Sequence, residues 1–427
     1  MNLRHALQTL GPGILFASTA IGVSHLVQST RAGAMAGWGL VWVVALANLA
    51  KYPFFEFGSR YASATGTSLI DGYRKMGRWA AWGFLVLTVL TCFFVLGAIG
   101  LVTAAFLDNL IGVSATTGNN ATPWVAFVVI AGSTALLSWG AYTALDRLIK
   151  LIAGVLLIGT VVAFVAAMFH TAPMDVPPPP ADFSPWTGAG LAFLIALVGW
   201  MPSAVDLASW NSIWTLERIA ETGYRPTLRE TLREFNLGYW ISAGLAVLFL
   251  GLGAMILYAD QTEFPAGTAA FAAGIVDIYT EALGTWSRPF IASAAFSAML
   301  GTIIACLDGY TRSLTASVLT LRNSETRSTS GVSQKNRRLE RRIGTSLAAG
   351  ALLLIVAFPD DIKTLVDIAT SLSFAVAPFV AAANWWLVNS PDFPEAARPS
   401  RTLNILSGTG MAFLVGFGLL YLAHLTS

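Results

Sequence analysis

Residues 11–34 read GPGILFASTAIGVSHLVQSTRAGA, and half a chain later residues 188–214 hold a second apolar stretch with GWMPSAVDLAS at residues 199–209. Each is interrupted near its middle, around Ala20 to Ser24 in the first and Trp200 to Ser203 in the second. Hydrocarbon offers backbone N–H and C=O groups no partner, so an interrupted helix survives at membrane depth only where protein buries it or where it lines a polar cavity. Paired interruptions in corresponding segments are how many secondary transporters build their substrate site. These two stretches therefore point both to a fold and to the place where function should be sought.

The rest of the chain agrees with a membrane setting. Hydrophobic residues make up 55%, charged residues 11%, and the mean hydropathy is +0.66. Apolar runs of about 20 residues recur from end to end, the length one helix needs to cross hydrocarbon. The expectation is an all-α integral membrane protein of about eleven transmembrane helices. They fall near Gly13–Gly33, Trp38–Tyr61, Trp79–Leu107, Pro123–Tyr142, Leu145–His170, Ala189–Trp214, Asn236–Tyr258, Arg288–Leu321, Arg341–Phe358, Lys363–Val388 and Thr402–Leu425. The first run is too long and too Gly-rich for a cleaved signal and is read as a retained span. Cys92 and Cys306 lie inside apolar runs and are read as small buried hydrophobes.

Cations cluster in every second loop: Arg60, Arg74, Lys75 and Arg78; Arg147 and Lys150; Arg218, Arg225, Arg229 and Arg233; Arg322 through Arg342; Arg398 and Arg401. Short cytoplasmic loops are the basic ones, which places the amino terminus in the cytoplasm and the carboxyl terminus outside the plasma (inner) membrane. The loops with Pro177 to Pro180, Asp175 and Asp182, and with Asp260, Glu263, Asp277 and Glu281, then face outside. The basic stretch Asn323 to Arg342 reads as a solvated loop obeying that rule, or as an anionic-lipid contact. In Glu217 to Glu234 acids nearly balance bases, so it reads as a charged linker and no nucleic acid is implied. Breaks five spans apart, in helices of opposite direction, are accounted for by a 5+5 inverted repeat plus one helix: residues 1–170, residues 171–390 and a further helix in residues 391–427.

GPGILFASTA, RAGAMAGWGLVWVVALANL and ASATGTSL resemble the first two spans of the Nramp family of proton-coupled divalent metal transporters, and GWMPSAVDLAS resembles that family's Met-Pro break in span six. The resemblance implies a LeuT-type fold with broken helices one and six. Counting back from Arg31, the family's Asp-Pro-Gly-Asn metal motif falls on Gly22, Val23, Ser24 and His25, so both metal-binding side chains of span one are replaced. Met201, whose counterpart supplies a thioether ligand, is kept with Pro202, while the following His-Asn is Ser203-Ala204 here. Ser371 falls where the family often has a Gln, and the acids of span three are missing.

Ionisable residues inside spans are costly and mark functional candidates: His25, Lys51, Glu56 and Asp206. Imidazole is a common metal ligand and titrates near neutral pH, so His25 reads as a ligand, a proton acceptor, or a ring hydrogen-bonded to a freed carbonyl. At 1.5 Å per residue, His25 and Asp206 could sit about 10 Å apart along the membrane normal. Lys51 should lie near the level of Asp206 and either pair with it, stand in for a coupling cation, or offer positive charge to an anion. Glu56 is spaced i,i+4 from Arg60 and reads as an interfacial pair.

The candidate substrate site is thus Ala20, Gly22, Ser24, His25, Val198, Gly199, Met201, Ser203 and Ser371, with Lys51 and Asp206 for coupling or counter-charge. For a metal cargo of the Mg or Mn type the ligands would be His25, Met201 and Asp206, helped by Ser24, Ser203 and break carbonyls. The alternatives are an anion such as bicarbonate or a small carboxylate, countered by Lys51, His25 or Arg31, and a small neutral solute between Trp200 and Trp210. A coupling proton or cation and the lipid bilayer are the other partners; no cofactor is expected. No nucleophile elbow, Walker loop or HExxH spacing supports an enzyme.

Overall fold

Helix covers every stretch expected to cross the membrane, and both breaks fall where the sequence puts them. The computed structural model describes residues 11–139, 142–170, 175–178, 184–186, 188–259, 268–322, 334–358 and 361–426. Pro179, Pro180, Asp182, Asp260, Glu263 and the basic stretch up to position 333 lie outside the described residues.

Span one is Pro12–Ala20, a turn at Ile21 and Gly22, a π-helical segment Val23–Ser29 and a final α-helix Thr30–Ala36. Its start is favoured by Pro12, whose missing N–H costs nothing at a first turn. Span six is Gly188–Trp200, six non-helical residues, then Leu207–Thr222. The remaining stretches hold Val41–Thr65 (span two), Arg78–Ile111 (three), Thr122–Trp139 (four), Tyr142–His170 (five), Leu228–Leu252 continuing as a π segment Gly253–Tyr258 (seven), Arg288–Leu321 (eight), Gln334–Ala357 (nine), Ile362–Asn389 (ten) and Arg401–Thr426 (eleven). Among the described residues, six helical runs are long and apolar enough to cross a bilayer; the first, Pro12–Thr65, takes in spans one and two. Among the described residues, three α-helices not expected from the sequence, Leu69–Met76, Val113–Thr117 and Thr268–Leu283, lie between spans. Leu69–Met76 begins with a Ser68/Asp71 capping box, a signal that its short, mixed composition hides.

The broken spans are held by close backbone approach. A Cβ on Gly33 would lie 2.0 Å from the Leu250 carbonyl, and one on Gly253 would lie 2.3 Å from that of Thr30. Lipid competes for apolar side chains, so small residues that let backbones touch are what drive helix association in a membrane. Leu90, Val128, Ile158 and Leu419 face outward, as a lipid-bathed bundle requires, while His25, Gln28, Lys51 and Asn211 are wholly buried.

Candidate functional site

Between the two breaks lies a cavity of about 30 Å³. Thr19, Val23 and Ser24 of span one line it, with Val95 and Ile99 of span three, Trp200, Ser203, Ala204, Asp206, Leu207 and Trp210 of span six, and Thr302, Cys306 and Tyr310 of span eight. Gly309 allows Trp210 to form this wall, since a Cβ there would meet the indole at 2.4 Å. The Trp210 ring rests edge-on against Tyr310 with centroids 4.5 Å apart. Asp206 supplies the one carboxylate of the lining, and no Lys, Arg or His shares it.

Asp206 closes the break in span six. It is the N-cap residue of Leu207–Thr222: its backbone carbonyl accepts from the Ser209 amide at 2.9 Å and the Ser209 hydroxyl at 2.7 Å, and the residue lines the cavity. Negative charge is favoured at a helix amino terminus, where N–H groups lack intrahelical partners. On the other side of the break Gly188–Trp200 ends in free carbonyls, and the Lys51 ammonium fills them. Its Nζ donates to the carbonyls of Val198 at 2.5 Å, Gly199 at 2.8 Å and Ser203 at 3.2 Å. All of this is buried, and Lys51 lies outside the cavity lining. The Lys51–Asp206 ion pair considered from the sequence is therefore not formed: the ammonium spends its protons on backbone.

The first break is satisfied differently. The Ser24 hydroxyl donates to the Ala20 carbonyl and lies 2.7 Å from His25 Nδ1. His25 Nε2 lies 2.8 Å from the Ser242 carbonyl and 3.0 Å from its hydroxyl. Both ring nitrogens thus have partners, and the ring points to span seven, away from the cavity. Gly22 packs against Thr302, whose side chain a Cβ would meet at 2.7 Å. Met201 is fully buried and is not part of the lining; its peptide bond to Pro202 is cis. Ser371 lines a separate groove of about 530 Å³ with Arg31, Phe193 and Asp367, at the end that loop charge assigns to the outside.

Of the residues singled out in the sequence, the structure thus brings Ser24, Trp200, Ser203, Asp206 and Trp210 together in the cavity. Val198 and Gly199 contribute carbonyls to Lys51, and the Ala20 carbonyl goes to Ser24. Thr19, Thr302, Cys306 and Tyr310 are additions. A hydroxyl or thiol in an apolar run carries no sequence signal of facing a cavity, and Cys306 in particular reads as packing.

Ion pairs and backbone clamps tie the broken spans to their neighbours on either side of the cavity. Toward the expected outside, Arg31 pairs with Asp367 through two contacts, at 2.9 and 3.3 Å, and stacks over Phe193 at 4.9 Å. Gln28 accepts from Arg31 at 2.9 Å. Toward the expected cytoplasm, the Glu234 carboxylate takes the amides of Gly11 and Gly13 at 2.8–3.0 Å, pinning the start of span one to span seven. Glu56 and Arg60 form the expected pair, at 2.6 Å, and Arg60 also reaches the Ala397 carbonyl.

The family model described as natural resistance-associated macrophage protein-like matches residues 13–424. An uncharacterized protein of Pasteurella multocida (strain Pm70) is 35% identical over 421 residues, which are 97% of this chain and 92% of that protein. Among solved structures, a mutant of the Eremococcus coleocola manganese transporter superposes with a TM-score of 0.72 at 14% identity, covering 98% of this chain and 87% of that one. MhsT in complex with L-phenylalanine superposes with a TM-score of 0.62 at 13% identity, covering 96% and 98%. The architecture is the LeuT-type fold of membrane transporters, not of an enzyme. With a match along nearly its whole length, this integral membrane protein belongs to the Nramp family.

Proposed function

We propose that the protein is a secondary transporter that carries a divalent metal cation by alternating access, with the cavity between the two breaks as its site. One observation carries this reading: the charged side chain facing that cavity is a carboxylate, Asp206, while the neighbouring ammonium of Lys51 is turned into backbone carbonyls. A fixed carboxylate attracts a cation and repels an anion. Ser24, Ser203 and Thr302 add oxygen donors and Cys306 a softer sulfur. The described residues hold no group of three or more His, Cys, Asp and Glu that could bind a metal, so the ion would keep part of its hydration shell, as Mg²⁺ in particular does. A cavity of about 30 Å³ has room for about two waters.

In this reading the Arg31–Asp367 pair and the Glu234 clamp on span one serve as gates. Parting of Arg31 from Asp367 opens the site on one side, and release of Gly11 and Gly13 by Glu234 opens it on the other. The moving bodies are the five-span units, residues 1–170 and 171–390, with the amino terminus cytoplasmic. A coupling proton would compete with the metal for Asp206. A second reading, a small anion, draws on Trp210: the residue lines the cavity and its buried indole N–H makes no hydrogen bond. Uptake into sealed liposomes under an inside-negative potential, comparing Mn²⁺ and Mg²⁺ with bicarbonate, separates the two. Metal entry that Asp206→Asn shifts to higher metal concentration is expected; bicarbonate-dependent pH change with no metal flux would overturn the reading in favour of the anion.

A further inference from the structure

We propose that Lys51 is a tethered cation: its ammonium fills a carbonyl site at the end of Gly188–Trp200 that would otherwise take a free monovalent cation of about the size of K⁺ or ammonium. Three carbonyls from the break, those of Val198, Gly199 and Ser203, converge on one point at 2.5–3.2 Å. A helix that stops in the membrane leaves its last carbonyls without partners and concentrates partial negative charge there. Carbonyl oxygens converging in this way can replace the hydration shell of an ion, as they do in cation filters.

The occupant here is delivered by another helix. Lys51 sits on span two with its side chain fully buried; Asp206 attracts it electrostatically, yet its three hydrogen bonds go to backbone carbonyls. Three acceptors call for three N–H groups, which the ammonium has and the neutral amine lacks. The partner of the charge is therefore a set of backbone dipoles, the partner of a bound ion rather than of a salt-bridged lysine. Because the tether never leaves, the break in span six is held without help from ions in solution. Stability and transport should then be indifferent to which monovalent salt is present.

The inference stands apart from the identity of the cargo, and its test needs none. Lys51→Ala removes the ammonium and its stem; Lys51→Met keeps most of the stem. Thermal unfolding of purified wild type and of both variants is compared in choline, K⁺, ammonium and ethylammonium chlorides at equal ionic strength. Wild type is expected to unfold at the same temperature in all four. The Ala variant should be stabilised by ethylammonium, and the Met variant by ammonium or K⁺, by a few degrees and saturably, as a ligand that binds only the folded state does. Two results would overturn the proposal: variants as stable in choline as wild type, or variants that stay equally unstable, or equally unrecoverable, in every salt. Neither bears on whether Asp206 binds metal, which is read separately from uptake.

Discussion

The two breaks look alike in sequence and differ in how their freed backbone is satisfied. In span one the chain looks after itself: Ser24 takes the Ala20 carbonyl and His25 ties the segment to Ser242 on span seven. In span six the freed carbonyls take a charge from another span, Lys51, and Asp206 sits at the start of the helix beyond the gap. Neutral partners suffice to bury the first break. The second places a cation and a carboxylate on either side of the chain gap, and only the carboxylate faces the cavity. Charge in this site is thus divided between one group that holds the scaffold and one that is open to cargo.

The comparison breaks most visibly at Lys51. Replacing it by Met leaves three carbonyls without their donor, and a buried acceptor left unpaired costs about 1–3 kcal/mol; the unfolding temperature in a choline buffer should fall further than in any of the other variants, as thermal unfolding would read. Asp206→Asn should leave folding nearly intact and weaken metal binding by about 10- to 100-fold, the worth of one charge-assisted contact, measured as a rise in the Mn²⁺ concentration for half-maximal uptake. His25→Ala sharpens the contrast from the other side. It should lower stability by about 1–3 kcal/mol, because Ser242 and Ser24 lose a buried partner, while uptake per folded molecule stays close to wild type. If uptake instead vanished at full stability, the first break would hold the cargo too. The smallest effect is expected at Met201→Leu, a volume-conserving change costing less than about 1.5 kcal/mol, with uptake of Mn²⁺ and Cd²⁺ unaltered since the sulfur is outside the cavity lining.

Both breaks were legible because Gly22, Met201-Pro202 and Ser203 interrupt runs that are otherwise long enough to span, and because lipid leaves a broken helix so few places to be. Lys51 and Asp206 were legible as costly intramembrane charges. Their mutual avoidance was not: the acceptors of Lys51 are backbone carbonyls, which every residue has, so no sequence pattern announces them. The cavity-lining residues of span eight were missed for a related reason. Thr302, Cys306 and Tyr310 fit an apolar helix equally well whether they face lipid, a neighbour or a cavity, and only the packing of Gly309 against Trp210 decides. His25 was marked by its position beside the break, yet its direction depends on Ser242, 217 residues away.

The most direct test of the central claim, that the cargo is a cation bound at Asp206 between the breaks, is calorimetric titration of the purified protein with Mn²⁺, in wild type and in Asp206→Asn. Saturable binding is expected in wild type, strongly weakened in the variant and kept in His25→Ala. Binding that is the same in wild type and Asp206→Asn, or that is absent from both, would contradict it.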